Sequence, residues 1–431
     1  MRHLTPYRKG NPGKRNLPFN VLVCFLIYSS PLLTAQALLC IGHKSPYELR
    51  LAGQPSVRLN GVDSFFVISA QRIAIRLQAE THFRVYNTRF EVVSPVPVEA
   101  VKSDGHPYFA FRISGKWGLA DSVGKLLIKP RFQAVGRVSE GLVALLDNGQ
   151  WGFADLRGKW KIKPRFAANA LQDSAPAFSG GFALILDSPS GGWRYLKKDG
   201  QFRGSRAYPE AYPYMYGHAW VREEEGFYLI NPEGRAVLGP YFDIVPNPAS
   251  ALVPVLNNEL FGFVDVRVAK ERSSCRFLEV SPSTNAHAAV LTTNGWTLID
   301  SLGRLCKSDY FNYIESTGTD SYVFYTGDSD DRWAGLLSNN CSIEVPAVWR
   351  FISTFRNGFA VASADSEHFF LIDPAGKDYL RELKFRGITT PVNGYVLARN
   401  TEEHVLYAVQ NLAEPIDRLP VQMQMRLVPL E

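Results

Sequence analysis

The 431-residue sequence lacks the spacings that most catalytic and metal-binding sites require. Its five cysteines include no Cys-x-x-Cys pair, and none of its eight histidines stands in His-x-His or His-Glu-x-x-His spacing. It also has no Gly-x-Ser-x-Gly turn, no phosphate-binding loop and no Gly-x-Gly-x-x-Gly run. The sequence therefore predicts a protein that is not an enzyme and that binds no metal or other cofactor.

Long uninterrupted segments and a strong charge excess are absent as well. The 27 prolines and 34 glycines are spread over the whole chain, which argues against long helices. A net charge of +6 is too small to require a nucleic-acid partner. Hydrophobic residues make up 46% of the chain and aromatic residues 13%, so the sequence can bury a core and is not that of a disordered protein.

The N-terminal segment has the pattern of a secretory signal peptide over residues 1–37. Five basic residues and no acidic one precede the apolar run 17–33, and Ala35-Gln36-Ala37 supplies the small residues of a cleavage site. We predict export to the periplasm, the outer surface or the medium. The alternative is an uncleaved anchor, which would be the protein's only connection to a membrane. Removal of residues 1–37 leaves 42 basic against 41 acidic residues, close to neutrality.

Four cysteines remain after that removal: Cys40, Cys275, Cys306 and Cys341. In an exported protein they can form two disulfides, with three possible pairings. The alternative is that some of them are buried apolar thiols.

Self-similarity with a period near 34 residues dominates the rest of the chain. Trp117-Gly118 is followed by Trp151-Gly152, and the same phase continues to the C-terminal region. We call the aligned positions the anchors; they are Trp117, Trp151, Trp193, Phe227, Phe261, Trp296, Ala334, Phe369 and Leu406. Most units place a glycine seven residues after the anchor and an aromatic residue fifteen or sixteen after it, such as Gly124 and Phe132 in the first unit.

Each unit has the pattern of a β-hairpin. In the second unit, apolar residues from Trp160 to Phe166 alternate with Lys159, Lys161, Lys163 and Arg165, which predicts a half-buried strand with one basic face. Turns such as Asn231-Pro232-Glu233-Gly234 combine proline with a glycine that accepts positive φ. A third strand follows a further glycine, as in Gly141-Leu142-Val143-Ala144-Leu145.

The Trp-Gly pairs, followed by D-x-x-G-K, K-P-R-F and S-E-G-L-V-A, resemble the WG (KWG) repeat family of bacteria. The resemblance is close over residues 108–186, recognisable to about 270 and weak beyond, where other pairs replace Trp-Gly. It implies an all-β tandem array with no established catalytic residues, and interaction or surface roles. The residues that carry the repeat are Trp117, Gly118, Gly124, Phe132, Trp151, Gly152, Gly158, Phe166, Trp193, Gly200, Phe227 and Gly234.

We predict an all-β fold with about nine three-stranded antiparallel units. Residues 38–106 form a β-rich N-terminal cap or a degenerate unit, residues 107–412 the array, and residues 413–431 a closing segment. Three short strands cannot hold a core alone, so the units must stack. The unit length favours an open β-solenoid or superhelical array; the alternative is a closed β-propeller-like ring.

Two sets of residues are candidates for binding. The basic residues Lys125, Lys129, Arg131, Lys161, Lys163 and Arg165 would form a stripe for an anionic glycan, lipid phosphate or acidic partner. A solubilising edge that blocks strand pairing explains them better, because later units lose the lysines. The segment around Tyr212, Tyr214 and Tyr216 would offer aromatic platforms for sugar rings, although a core-facing connection between units is the favoured reading.

Two acidic segments, 223–225 and 327–331, are interpreted as solvated loops, since the latter lacks the glycine and bidentate Glu of a calcium loop. The sequence thus favours an exported, non-catalytic repeat protein that binds another protein at the cell envelope. A glycan- or cell-wall-binding module is the alternative, and a hydrolase with an unrecognised site is the more distant one.

Overall fold

In the computed structural model, the described residues all lie in one compact unit, residues 35–431. They run from 37 to 429 except 43–44, 104–106, 123, 169–174, 189–190, 248–249, 282–286, 307–309, 317–320, 328–330, 339 and 422–424. The predicted signal peptide, apart from Ala37, lies outside the described residues, as does most of the acidic segment 327–331.

The described residues form forty strands in ten antiparallel sheets, which we number 1 to 10 in chain order. Sheet 1 contains β1 (Ala37–Ile41), β2 (Tyr47–Leu51), β3 (Gln54–Ser69), β4 (Arg72–Leu77), β5 (Phe83–Tyr86), β6 (Val92–Val98) and the last strand, β40 (Met425–Pro429). Sheet 2 contains β7 (Ala100–Ser103), β8 (Tyr108–Ile113), β9 (Lys116–Asp121) and β10 (Leu126–Phe132). Sheet 3 contains β11 (Ala134–Ser139), β12 (Leu142–Asp147), β13 (Gln150–Asp155) and β14 (Trp160–Ala167).

Sheets 4, 5 and 7 have three strands each. Sheet 4 contains β15 (Phe178–Ser179), β16 (Phe182–Ser188) and β17 (Gly192–Lys197), and sheet 5 contains β18 (Ala219–Glu223), β19 (Gly226–Ile230) and β20 (Ala236–Tyr241). Sheet 6 contains β21 (Asp243–Ile244), β22 (Leu252–Asn257), β23 (Leu260–Asp265) and β24 (Lys270–Phe277). Sheet 7 contains β25 (Glu279–Val280), β26 (Ala288–Thr292) and β27 (Gly295–Ile299).

Sheets 8 to 10 have four strands each. Sheet 8 contains β28 (Tyr313–Ser316), β29 (Ser321–Thr326), β30 (Trp333–Ser338) and β31 (Ile343–Trp349). Sheet 9 contains β32 (Phe351–Ile352), β33 (Ala360–Ser363), β34 (Phe370–Ile372) and β35 (Asp378–Tyr379). Sheet 10 contains β36 (Gly387–Ile388), β37 (Tyr395–Arg399), β38 (Glu403–Ala408) and β39 (Asn411–Pro420); a short 3-10 helix, Arg381–Leu383, precedes it.

The nine repeat units of the sequence correspond to sheets 2 to 10, one unit to each sheet. Each anchor lies in or next to a strand, and in most sheets that strand forms a hairpin with the strand after it, as β13 does with β14; in sheets 4 and 7 isolated bridges such as Trp193 to Tyr208 take the place of the last strand. The glycine-led strand pairs with the anchor strand that follows it, as β12 does with β13. Most sheets have four strands rather than three because a short strand at the start, such as β21 with two residues, adds one more edge.

Alternation of side chains decides which face of a strand is buried. In β14, Ile162 and Phe166 are buried, whereas Lys161, Lys163 and Arg165 are exposed. The buried faces of consecutive sheets pack against each other: Leu119 and Ile128 of sheet 2, for example, share a core with Val143 and Leu145 of sheet 3. Equivalent cores join each sheet to the next along the chain.

The succession of sheets closes on itself. Strand β1 pairs with β40, with Leu38 opposite Val428 and Cys40 opposite Arg426. The apolar face of sheet 10 also packs on sheet 1 in a core that contains Ala37, Leu39, Leu397 and Leu406. Of the two arrangements predicted, the structure therefore has the closed β-propeller-like one and not the open array. Closure buries apolar surface that the first and last sheets of an open array would expose.

Candidate interaction surfaces

The turn after the anchor in sheet 3 is built by an acidic residue and a glycine. In sheet 3, the Asp155 carboxylate accepts hydrogen bonds from the backbone N–H groups of Arg157 and Lys159, both at 3.0 Å. The N–H of Gly158 donates to the Asp155 carbonyl at 2.9 Å. The turn glycines take positive φ, which glycine adopts without strain; they are Gly124, Gly158, Gly200 and Gly234.

The Trp-Gly pair has a steric explanation. Trp117 stands opposite Phe132, and Trp151 opposite Phe166, so each anchor pairs with the aromatic residue that ends the next strand. A Cβ atom at Gly152 would lie 2.6 Å from the nitrogen of Pro164, and one at Gly118 2.6 Å from the carbonyl oxygen of Ile128. These glycines allow the partner backbone to approach at an irregularity in the hairpin.

The same pairing holds at later anchors. Trp193 bridges to Tyr208, and Phe227 stands opposite Tyr241. In the unit of Phe227 the fifteenth residue after the anchor is Phe242, so the sequence pattern predicts Phe242 as the aromatic residue of that unit. The structure shifts the register by one, so that Tyr241 is buried and the Phe242 ring is 70% exposed.

The basic residues of the first two units lie on exposed edges. Strands β10 and β14 are edge strands of their sheets, and their cationic side chains face away from the core. Lys161 makes a 3.8 Å contact with Asp155, and the Arg165 guanidinium donates to the carbonyl oxygen of Gly200 in the next sheet. Charged residues at such an edge discourage pairing with another chain.

The tyrosine segment contributes mainly to the core between sheets 4 and 5. The Tyr214 ring is 1% exposed; its hydroxyl donates to the Asn231 carbonyl at 2.8 Å and accepts from Arg203 at 2.9 Å. Burial raises the pKa of Tyr214 to about 12. Tyr214 therefore cannot stack on a sugar at the surface, and this part of the binding hypothesis is corrected because the apolar faces of the two sheets enclose the ring.

The two neighbouring tyrosines differ from Tyr214. Tyr212 is half-buried and donates to Glu210 at 2.8 Å, and burial raises the pKa of its phenol. Tyr216 is exposed. Only Tyr216 of the three thus presents its ring to solvent.

One end of sheets 6 to 9 exposes aromatic and apolar side chains that the periodicity did not predict. This is the end at which the anchor strands begin, and we call it the anchor end. The exposed residues there are Phe242, Leu278, Tyr310, Tyr313 and Phe351, which we call the aromatic patch. The N–H groups of Phe242 and Leu278 make equivalent hydrogen bonds, to the carbonyls of Leu256 and Leu291, which shows that the two positions correspond.

The opposite end of sheets 5 to 8 exposes large aliphatic residues. They lie in or after the turns that follow the anchor strands: Val237, Val268, Leu302 and Ile343. Aromatic rings are the side chains that dominate protein interfaces. The two ends therefore differ in chemistry although both expose apolar surface.

A groove of about 700 Å³ crosses the first strands of sheets 2, 3 and 4. Lys102 of β7 and Arg137 of β11 line it together with the anchor rings Trp151 and Trp193. Pro213 and the segment 175–177 complete much of the wall. Among the described residues that line this groove, Lys102 and Arg137 are the two ionisable ones, and both are cationic. Sequence reasoning missed it because Lys102 and Arg137 belong to strands outside the basic stripes.

No group of three or more His, Cys, Asp and Glu residues in the described part of the chain is arranged to hold a metal ion. The same residues contain no helix of the length and apolarity needed to span a bilayer. One disulfide joins Cys306 to Cys341, while Cys40 and Cys275 are free thiols.

These features define a closed, all-β repeat protein. The family model of the WG-containing repeat matches two successive segments, residues 117–151 and 151–186. The chain thus carries WG-containing repeats in sheets 2 to 4, and the resemblance predicted from the Trp-Gly pairs is confirmed. No curated protein matches the sequence.

Several solved structures match the chain at low similarity. A crystal structure of the eukaryotic initiation factor is 12% identical with a TM-score of 0.37, over 74% of this chain and 97% of that one. The dihydro-heme d1 dehydrogenase NirN is 12% identical with a TM-score of 0.30, over 71% and 72%. PorZ, a surface component of the type-IX secretion system of Porphyromonas gingivalis, is 11% identical with a TM-score of 0.23, over 89% and 64%. Similarities of this size carry no functional assignment to the present chain.

Proposed function

We propose that this protein is an exported, non-catalytic repeat protein that binds a partner protein at the cell envelope through the aromatic patch. The observation that carries the proposal is the exposure of aromatic rings at the anchor end of sheets 6 to 9. Phe242 is the most exposed of them, and Tyr313 and Phe351 are each more than two-fifths exposed. Aromatic side chains are enriched where one protein binds another.

Two rings of the patch, Tyr313 and Phe351, are held by contacts with anchors. The ring centroids of Tyr313 and Trp296 are 5.3 Å apart in an edge-to-face arrangement, and those of Phe351 and Phe369 are 5.8 Å apart. A side chain that is already fixed loses little conformational entropy when a partner covers it. The anchors Trp296 and Phe369 therefore also orient two of the residues that we assign to binding.

Export is the second part of the proposal. The basic, apolar and small-residue segments of residues 1–37 favour it. The disulfide between Cys306 and Cys341 supports it independently, because disulfides persist in oxidising compartments.

The binding proposal is tested by photo-crosslinking in living cells of the source bacterium. A benzoylphenylalanine replaces Phe242 or Phe351, and Leu302, at the opposite end and similarly exposed, is the matched control position. We expect one discrete protein adduct from both patch positions and none from position 302. The partner named by mass spectrometry must then bind the purified protein, and the Phe242→Ser/Phe351→Ser variant must weaken that binding by about tenfold or more. Equal adducts from both ends, or none, would overturn the proposal.

Localisation is tested separately by cell fractionation and mass measurement of the mature chain. We expect the protein in an envelope or secreted fraction with Cys306 and Cys341 oxidised. Recovery from the cytosol with reduced cysteines would contradict export without bearing on the patch.

A further inference from the structure

We infer that the groove across sheets 2, 3 and 4 binds an acidic, extended polypeptide segment. This inference deepens the proposed function, since it names the chemistry of a second contact with a protein partner. It rests on residues that lie on different sheets from the aromatic patch and is tested independently of it.

Charge is the first argument. Lys102 and Arg137 are exposed, and neither makes an ion pair with any residue in the described ranges. Glu99, directly before β7, is already engaged, because it contacts Arg112 at 3.1 Å and accepts a hydrogen bond from the N–H of Gly115. The described lining of the groove is therefore positively charged, and carboxylates complement it.

The placement of Lys102 is the second argument. Its Nζ atom lies 4.8 Å from the centre of the Trp117 ring. A cation over an indole face is held in position by the ring quadrupole while its outer side stays free to meet an anion. The Trp-Gly repeat thus presents this lysine at the groove.

The backbone of the groove favours a polypeptide over a sugar chain. Strands β7, β11 and β15 are all edge strands, each paired on one side only. Edge strands carry N–H and C=O groups that face away from the sheet and can pair with an added extended segment. In β11 the pairing register shifts between Val135 and Val138, which turns Gly136 and Arg137 out of the regular ladder.

Gly136 also fixes the depth of the groove. A Cβ atom at this position would lie 2.7 Å from the Cβ of Ala175 and 3.2 Å from that of Ala144. Only glycine lets segment 175–177 of the opposite wall approach β11 so closely. The shape of the groove at Arg137 therefore requires glycine at position 136.

The groove is wide enough for several residues of an extended chain. Its volume of about 700 Å³ lies within the range of ordinary ligand-binding clefts. Trp151 and Trp193 line it at two successive anchors, so that a segment with an aromatic residue among acidic ones would meet both rings and cations there.

The test uses the purified full-length mature protein and fluorescence anisotropy. The probe is a fluorescein-labelled ten-residue peptide of glutamates around one tyrosine, and the comparison ligands are the same peptide with lysines and a labelled oligogalacturonate as an anionic glycan. We expect saturable binding of the acidic peptide that weakens with added salt. The lysine peptide should not bind, and the glycan should bind at least tenfold more weakly.

The variants decide where the peptide binds. Lys102→Glu/Arg137→Glu should weaken binding by about tenfold or more. Lys161→Glu/Lys163→Glu makes the same charge change on the exposed edge of β14 and should leave binding within about twofold. Equal loss in both variants would show non-specific attraction, and preference for the glycan would show a sugar site; either result, or no binding, overturns the inference.

A variant of the aromatic patch separates this inference from the proposed function. Phe242→Ser/Phe351→Ser should leave peptide affinity unchanged, because those residues lie at sheets 6 and 9 and not at the groove. If the patch variant loses its cellular partner while the peptide still binds, the two contacts are distinct. If the crosslinks fail and the peptide binds, the inference stands without the patch.

Discussion

Cys341 occupies the turn position that glycine fills in most units, and its sulfur is bonded to Cys306 of the preceding sheet. The Cα atoms are 5.7 Å apart and the residues 35 apart in sequence, close to one repeat. Cys341 keeps the positive φ of the turn glycines, and its N–H donates to the Ser338 carbonyl at 3.0 Å, as Gly158 does to Asp155. The disulfide is thus a covalent version of the contact that some turns make with the sheet before them, as the turn at Gly158 does with Ile128.

Loss of this disulfide should lower stability. We expect Cys306→Ser/Cys341→Ser to reduce the free energy of unfolding by about 3 kcal/mol, because the crosslink restricts the unfolded chain. Urea unfolding followed by tryptophan fluorescence measures the change. Cys275→Ser, at a free thiol, is the control and should change stability less. Unaltered stability of the wild type under reducing conditions would contradict the prediction.

Gly152→Ala should destabilise the protein by about 2 kcal/mol, because the added Cβ would overlap the backbone of Pro164. Gly387→Ala is the matched control, since nothing lies within 4 Å of a Cβ at that position; its effect should stay within about 0.5 kcal/mol. Denaturant melts of the two variants make the comparison. Equal effects would show that close approach is not the reason for the Trp-Gly pair.

Asp265 should make the free energy of unfolding depend on pH in the acidic range. Its side chain is 1% exposed and contacts Arg267 at 2.9 Å and Arg272 at 2.8 Å. Burial alone would raise its pKa, but the hydrogen bonds from the two arginines outweigh burial and hold the pKa of Asp265 below its usual range. A lowered pKa in the folded state means that the stabilisation is complete above the ordinary pKa of about 4 and is lost as the pH falls below it.

The Asp265→Asn variant tests this. It leaves Arg272 partly buried without its carboxylate, and we expect it to cost about 3 kcal/mol at pH 7 and to flatten the decline of stability between about pH 5 and 2. Unfolding by urea at several pH values provides the measurement. Asp300→Asn, whose carboxylate pairs with the exposed Arg304, is the control. A wild-type pH profile in Asp265→Asn would refute the assignment.

Closure of the array depends on β40. A chain that ends at residue 420 lacks this strand and uncovers Leu39 and Cys40 of β1, so amide hydrogen exchange in β1 and β2 should accelerate by at least tenfold. Exchange in sheets 5 and 6, far along the succession, should change less. A chain lacking only residues 430–431 is the control. Unchanged exchange in β1 would show that packing of sheet 10 on sheet 1 suffices for closure.

The repeat could be predicted from sequence because its signals are local. The Trp117 and Trp151 hairpins, their turn glycines and the alternation in β14 each depend on residues close together in the chain. Closure could not be predicted, since the pairing of Leu38 with Val428 joins segments nearly 400 residues apart and has no periodic pattern. The sequence of a single unit is therefore compatible with both an open and a closed array.

The candidate sites were harder to predict for a related reason. Exposure depends on register, and a shift of one residue exchanges the buried and exposed partners, as at Tyr241 and Phe242. The groove brings Lys102 and Trp193 together from units 91 residues apart in sequence. Tyr214 was a candidate because its neighbours are aromatic, yet that same composition belongs to a core.

The pairing of β1 with β40 also means that the choice of chain ends is arbitrary for this fold. Ala37 and Pro429 are direct partners across the ladder, so a short linker could join them while the chain is opened elsewhere. A circularly permuted gene that starts in the turn between β12 and β13 would place sheet 3 at the seam and leave every inter-sheet core intact. Any of the ten sheets could then serve as the one where the chain begins.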